Sequence, residues 1–314
     1  MSLRGRFAPS PTGRIHLGNA RSALLGWLQA RAAGGQFLLR VEDLDRARCR
    51  PQYVDDLMRD MEWLGLTWDG PVLFQSARDE VYREALARLE QAERVYPCFC
   101  TRAEIARAAS APHGLSEEGP RYPGTCARLT VAERAERSRT RAPAYRFRVP
   151  PGEVRFMDGL QGPYGHDVAE VVGDFVVRRN DGVASYQLAV VVDDAATGIT
   201  HVLRGDDLLT STPRQIQLYA ALKLTAPAFF HVPLVLGEDG KRLAKREGAF
   251  ALAELRERKL PAERVLGLLA AWSGLGDGTP VTLEELVRRF RLEALPRAPV
   301  TAHEQPIATA LGLR

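Results

Sequence analysis

The chain is short of cysteine, of lysine and of long apolar runs, and each shortage excludes a class of protein. Four cysteines among 314 residues are too few for a disulfide framework, which points to a reducing compartment. No stretch approaches the roughly 18 apolar residues that a membrane span requires. Met1 to Arg6 runs straight into a strand pattern, with no apolar signal core before it. A cytoplasmic location without a membrane partner is expected. Of the basic residues only Lys223, Lys241, Lys245 and Lys259 are lysines, and two of these fall within one five-residue stretch. No internal repeat and no low-complexity block is present.

The rest of the composition is that of an ordinary globular chain. Hydrophobic residues make up 45% and charged residues 26%, and the length suffices for one large α/β domain with an appendage, or for two domains. A net charge of +4 leans toward an anionic partner.

Strand and helix patterns alternate in the first part. Gly5 to Ala8 and Gln36 to Glu42 read as strands. Pro51 to Leu64 and Arg78 to Val95 read as amphipathic helices. That order implies a parallel sheet with a ligand crevice at the carboxyl ends of its strands. From about Tyr96 to Gln187 the chain turns rich in Gly and Pro, with short strands at Ala144 to Val149 and Asp174 to Arg179 and a helix near Ala132 to Arg139. This reads as an insertion. The α/β pattern resumes with AVVV (189–192) as a buried strand, Leu208 to Leu222 as a helix and Phe229 to Leu236 as a strand. Helices are expected over Leu252 to Lys259, Pro261 to Trp272 and Thr282 to Phe290, and the last twenty or so residues read as irregular. The expected division is 1–95, 96–187, 188–250 and 251–314: two catalytic halves around the insertion, then a helical C-terminal region.

The most informative stretch is RFAPSPTGRIHLGN (6–19), followed by an Ala/Leu-rich helix from about Ala20 to Ala33. It reads as a strand, a Pro/Gly turn and a helix N-terminus. A helix N-terminus presents unpaired N–H groups and partial positive charge to phosphate. Gly18 admits a flat ring or phosphate close to the backbone. His16 can donate to a phosphate whose charge grows in a transition state. A second element is GEDGKRLAKREG (237–248), a Gly-flanked basic loop after the last parallel strand. Three cysteines cluster in the insertion, Cys98-Phe99-Cys100 and, after Tyr122, Cys126; Cys49 stands alone as a plain thiol. Three thiolates within thirty residues of Gly/Pro-rich chain suggest structural zinc, and cysteines one residue apart do not easily bridge each other. His113 is the chemically obvious fourth ligand.

Residues 6–19 resemble the first signature of class I aminoacyl-tRNA synthetases, and the Ala-Pro-Ser-Pro-Thr-Gly portion resembles the glutamyl/glutaminyl branch. The resemblance implies an α/β fold with a Rossmann-type parallel sheet split by the insertion. It implies catalytic roles for His16, Gly18, Asn19 and Lys245, with ATP and its Mg²⁺ bound at His16, Gly18, Arg242 and Lys245. The basic loop is similar to the Lys-Met-Ser-Lys-Ser loop of the family, with Arg242 at the first Lys, Ala244 at the Ser and Lys245 at the second Lys. Arginine keeps the charge but not the shape, and Ala244 loses a hydroxyl, so catalytic weight shifts to Lys245. The glutamate pocket implied is Arg6, Ala8, Ser10, Glu42, Tyr186 and Arg204. Two arginines suit two carboxylates, and Glu42 with Tyr186 suits an ammonium. Val190 stands where ordinary glutamyl-tRNA synthetases carry Asn.

About seventy residues follow Lys245, too few for an anticodon-binding body. With the Cys-x-Cys pattern, Val190 and YQLAVVVDDA (186–195), the chain is similar to the truncated glutamyl-queuosine tRNA(Asp) synthetases. That resemblance implies Tyr122 rather than His113 as fourth zinc ligand beside Cys98, Cys100 and Cys126. It also implies a monomer that activates L-glutamate with ATP and transfers it to queuosine in the anticodon loop of tRNA(Asp). A minimal core charging the 3′ end of tRNA(Glu), a related adenylyl-transfer enzyme and a catalytically inactive tRNA-binding paralogue are the alternatives.

Overall fold

The computed structural model describes residues 2–108, 121–241, 243 and 251–312. The first half runs β1 (Arg4–Phe7), α1 (Leu17–Ala32), β2 (Gln36–Val41), α2 (Pro51–Trp63), β3 (Leu73–Phe74) and α3 (Asp79–Gln91). The strands β1, β2 and β3 pair in parallel, as the alternation of strand and helix requires. Helix α1 is apolar almost all round: Leu17, Leu24, Leu25 and Leu28 are fully buried, each worth about 1.5–3 kcal/mol of transfer from water.

The insertion runs β4 (Val95–Cys98), α4 (Arg102–Ala108), α5 (Val131–Thr140), β5 (Ala144–Phe147), β6 (Glu153–Asp158), β7 (Gly162–Asp167), α6 (Val168–Val171) and β8 (Val176–Arg178). Here β4, β5 and β8 form an antiparallel sheet and β6 with β7 a hairpin. Helix α5 starts on a reciprocal capping box between Thr130 and Glu133.

The second half runs α7 (Tyr186–Ala196), β9 (His201–Gly205), α8 (Thr212–Ala221), β10 (Ala228–Val232) and β11 (Val235–Leu236). Strands β9 and β10 pair in parallel. The N–H of Thr200 donates to the Arg4 carbonyl at 2.9 Å, so β9 lies beside β1 and the two halves meet across the insertion. The chain ends with α9 (Leu252–Glu257), α10 (Ala262–Ala271), α11 (Leu283–Arg289), β12 (Val300–Thr301) and α12 (Glu304–Leu311).

Four elements depart from the sequence reading. AVVV (189–192) is not a strand but the middle of α7, which Ser185 caps by accepting the Leu188 N–H. Every residue from Gln187 to Asp194 is buried, so the segment shows no amphipathic period, and a short run of β-branched residues mimics a buried strand. The span Leu208 to Leu222 opens with a 3₁₀ segment and becomes α-helix only at Thr212, ahead of Pro213. Phe229 to Leu236 is two strands, because Pro233 interrupts the ladder. The C-terminus is not irregular: Val300–Thr301 pairs with Val235–Leu236, and Ile307 and Leu311 bury against the core.

Candidate functional site

The signature loop leaves β1 at Phe7 and enters α1 through His16, whose extended backbone (φ −100°, ψ 164°) makes it the N-cap residue. On one side the Pro9 carbonyl accepts the Glu42 N–H at 3.0 Å and the Pro11 carbonyl accepts the Arg50 N–H at 3.3 Å. Ala8 and Ser10 thus lie beside the end of β2. On the other side the Ile15 carbonyl accepts the Leu252 N–H at 2.9 Å, and His16 forms a bridge with Ala251. Among the described residues nothing beyond its chain neighbours and its own helix backbone lies within 4 Å of where a Cβ on Gly18 would stand. The first turn of α1, with Gly18 and Asn19, therefore has an open flank over free N–H groups.

The basic loop is anchored at both ends. Before it, the Leu243 N–H donates to the Val235 carbonyl at 3.0 Å and the Gly237 N–H to the Lys241 carbonyl at 2.8 Å. After it, Ala251 joins His16. Arg242, Ala244 and Lys245 lie outside the described residues. Three ion pairs brace the return limb: Arg14 reaches Asp56 and Glu257 at 3.2 and 3.1 Å, and Arg256 reaches Asp60 at 2.9 Å.

At the carboxyl ends of β1, β2 and β9 the structure brings Arg6, Glu42, Tyr186 and Arg204 together around residues the sequence reading did not single out. Arg40 donates to Asp194 at 2.5 Å and to Glu42 at 3.0 Å. Arg6 holds the same Asp194 through Nε and Nη2 at 3.3 and 3.4 Å. Asp193, next along α7, accepts from Gln75, Arg78 and the Tyr82 hydroxyl at 2.8, 2.6 and 2.8 Å. Burial pushes the Glu42 carboxyl up despite Arg40 and Arg6. Burial also pushes Asp194, but there the two guanidiniums win and hold it below the usual carboxylate range. Val190 lies on α7 within an apolar cluster.

Arg204 is different in kind. Its partners are neutral: Nε donates to Nε2 of His231 at 3.0 Å, Nη2 to Thr212 at 2.8 Å and to Gln215 at 2.9 Å, and Nη1 reaches the Tyr186 hydroxyl at 3.5 Å. No carboxylate among the described residues pairs with it. Burial lowers its pKa from the ordinary arginine value. The tautomer of His231 follows: Nε2 accepts from a guanidinium, so the proton sits on Nδ1 and goes to Asp158 at 2.6 Å. Burial lowers the His231 pKa to about 4, which keeps the ring neutral.

A third constellation lies in the insertion. The sulfurs of Cys98, Cys100 and Cys126 lie within 4.8 Å of one another. The Tyr122 hydroxyl converges on them, 3.4 Å from Cys98 and 3.8 Å from Cys100. Cys100 and Cys126 are 3.5 Å apart at sulfur, far from a disulfide bond near 2.05 Å. Three thiols and one phenol around one point are a donor set that fits a tetrahedral zinc ion. His113 lies outside the described residues. Cys49 is a free, half-buried thiol.

The sequence carried a partial signal for what it missed. Arg40 is a charge inside an otherwise apolar strand, and Asp193-Asp194 closes an apolar run; both are unusual burials that call for partners. His231 and Asp158 gave none.

The family model described as the catalytic domain of class I tRNA synthetases (E and Q) matches residues 2–307. A Glutamyl-Q tRNA(Asp) synthetase of Symbiobacterium thermophilum is 54% identical, with 99% of each chain covered. One of Nitratidesulfovibrio vulgaris is 46% identical over 95% of each. A crystal structure of a glutamate tRNA ligase from Elizabethkingia meningosepticum in complex with its amino acid superposes with a TM-score of 0.85 at 27% identity. It covers 99% of this chain but only 69% of that one. Among the described residues no helix is long and apolar enough to cross a membrane.

Proposed function

The chain belongs to the class I tRNA synthetases of the glutamate and glutamine type, and we propose that it activates L-glutamate with ATP and transfers the glutamyl group to queuosine in the anticodon loop of tRNA(Asp). The observation that carries the glutamate assignment is Arg204: a buried guanidinium at the strand ends whose partners among the described residues are all neutral. A buried cation without a counter-charge is costly, and a ligand carboxylate supplies one. Arg6 lies near enough to influence it electrostatically, so the pocket offers two guanidiniums to a dicarboxylate. Glutamine, with one carboxylate fewer, leaves a guanidinium uncompensated. Glu42, buried and with its carboxyl pushed up by that burial, gains an ammonium partner, with Tyr186 beside it; Ala8 and Ser10 line the approach.

ATP with its Mg²⁺ takes the open first turn of α1, with its phosphates at His16, Gly18 and Asn19. Arg242 and Lys245 receive the pyrophosphate as it leaves. The pairing of Ala251 with His16 supports this, since it ties the return limb of the basic loop to the signature. Attack of the glutamate carboxylate on the α-phosphorus then expels pyrophosphate and leaves glutamyl-adenylate. A hydroxyl of the queuosine ring attacks the glutamyl carbonyl, releasing AMP. Cys98, Cys100, Cys126 and Tyr122 would hold one zinc, a cross-link that shapes the insertion facing the RNA. The reading is of a cytoplasmic monomer, and near-full-length similarity to glutamyl-Q tRNA(Asp) synthetases supports queuosine as acceptor.

ATP–pyrophosphate exchange without RNA tests the activation step. Exchange that depends on glutamate and not on glutamine or aspartate is the expected result. No exchange with any amino acid, on protein shown to be folded, would overturn it.

A further inference from the structure

Arg146 lies on β5, opposite Tyr96 of β4 in the antiparallel register, and is 9% exposed. Its contacts are unusual for a buried guanidinium. Nε donates to the Cys98 sulfur at 3.2 Å. Nη1 donates to the Asp174 carbonyl at 2.6 Å. The guanidinium carbon sits 3.7 Å from the centre of the Tyr122 ring. No carboxylate among the described residues forms an ion pair with it. The carboxylate of Asp174 is used elsewhere: it accepts from the Tyr96 hydroxyl at 2.5 Å and the Val149 N–H at 2.8 Å.

A buried cation without a paired counter-anion is expensive, and the thiols and the phenol beside Arg146 can supply one. Metal binding requires those ligands deprotonated. Three thiolates and a phenolate around Zn²⁺ carry two negative charges in excess, again costly when buried. Each charge lowers the cost of burying the other if the guanidinium serves the cluster, which then keeps one negative charge in excess instead of two. We propose that Arg146 is a positioning residue of the zinc site, balancing its charge through Cys98 and fixing the Tyr122 ring by stacking, so that the hydroxyl points at the three sulfurs. This rests on the cluster being a zinc site. Loss of an outer partner of this kind weakens metal binding by about 10–100-fold.

The test uses the full chain, stripped and reloaded with zinc, in competition with a chromogenic chelator. Arg146→Met is expected to weaken zinc binding 10–100-fold, and Arg146→Lys, which keeps charge but loses the flat stack, to restore part of it. Replacing zinc by Co²⁺ gives a second readout: the thiolate-to-cobalt absorption should shift in Arg146→Met. A merely structural arginine predicts otherwise, with both variants melting lower by the same amount with and without zinc and the zinc affinity and cobalt spectrum unchanged; that result overturns the proposal. Should Arg146→Met not fold, Arg146→Lys alone decides by the same two readouts. If the unaltered chain binds no zinc, the zinc reading itself falls, which is a distinct outcome.

Discussion

The Nε–H of Arg204 donates to Nε2 of His231 at 3.0 Å, with both side chains buried. The arginine proposed to select the ligand carboxylate is thus aimed by a neutral ring rather than held by a carboxylate that would compete with the ligand. His231→Phe removes that acceptor and leaves a charged donor buried and unpaired. Bonds to charged groups are worth roughly 1.5–3 kcal/mol, so the glutamate KM in pyrophosphate exchange should rise about 10–100-fold with a smaller change in kcat. An unchanged KM would mean that Arg204 does not depend on His231.

The same ring gives the chain an acid sensitivity. His231 titrates near 4 when folded, against an ordinary value of 6.5. Between those values the unfolded chain takes up a proton that the folded one refuses, so stability falls as pH falls through that window. Asp60 acts oppositely. Burial raises its carboxyl to about 6 from 3.8, so the folded chain takes up the proton first and gains relative stability as pH falls from 6. Melting curves at pH 7 and pH 5 should therefore show a smaller drop for His231→Gln than for the unaltered chain, and a larger drop for Asp60→Asn. The reverse ranking would contradict both assignments.

Lys245 and Arg242 are assigned to the leaving pyrophosphate, whose charge grows only in the transition state. Lys245→Ala should lower the rate of glutamate activation on the order of 10²-fold, the cost of losing one such donor, with glutamate affinity little changed. A loss of affinity without a loss of rate would place Lys245 in ground-state binding instead.

Tyr122→Phe keeps all three thiols and the ring under Arg146 but removes the fourth donor. Zinc affinity should fall at least the ~10-fold that loss of an outer partner costs, and the melting temperature should gain less on zinc addition. Equal affinity in chelator competition would exclude the phenol as a ligand.

The signature element proposed to take the phosphates was legible because its pattern is local. Residues 6–19 carry a strand, a turn and a helix start in order, and the structure has β1, the loop and α1 there. The cysteine cluster was legible for the same reason: Cys98 and Cys100 sit one residue apart, and the insertion brings Tyr122 and Cys126 to them. Helix α7 was not, because a segment buried on every side shows no period. Nor were Asp158 and His231, 73 residues apart in the chain. Their pairing depends on the β6–β7 hairpin packing over β10, which no local pattern announces. Arg40 illustrates the limit most sharply: its role comes from Glu42, Asp193 and Asp194 meeting across two elements.

Queuosine as the acceptor is decided by following where labelled glutamate goes. Three RNAs are compared: tRNA(Asp) with queuosine at the wobble position, tRNA(Asp) with unmodified guanosine there, and tRNA(Glu). Label on the queuosine-bearing tRNA(Asp) alone is predicted. Label on tRNA(Glu) would contradict the claim and make the chain a minimal translation synthetase.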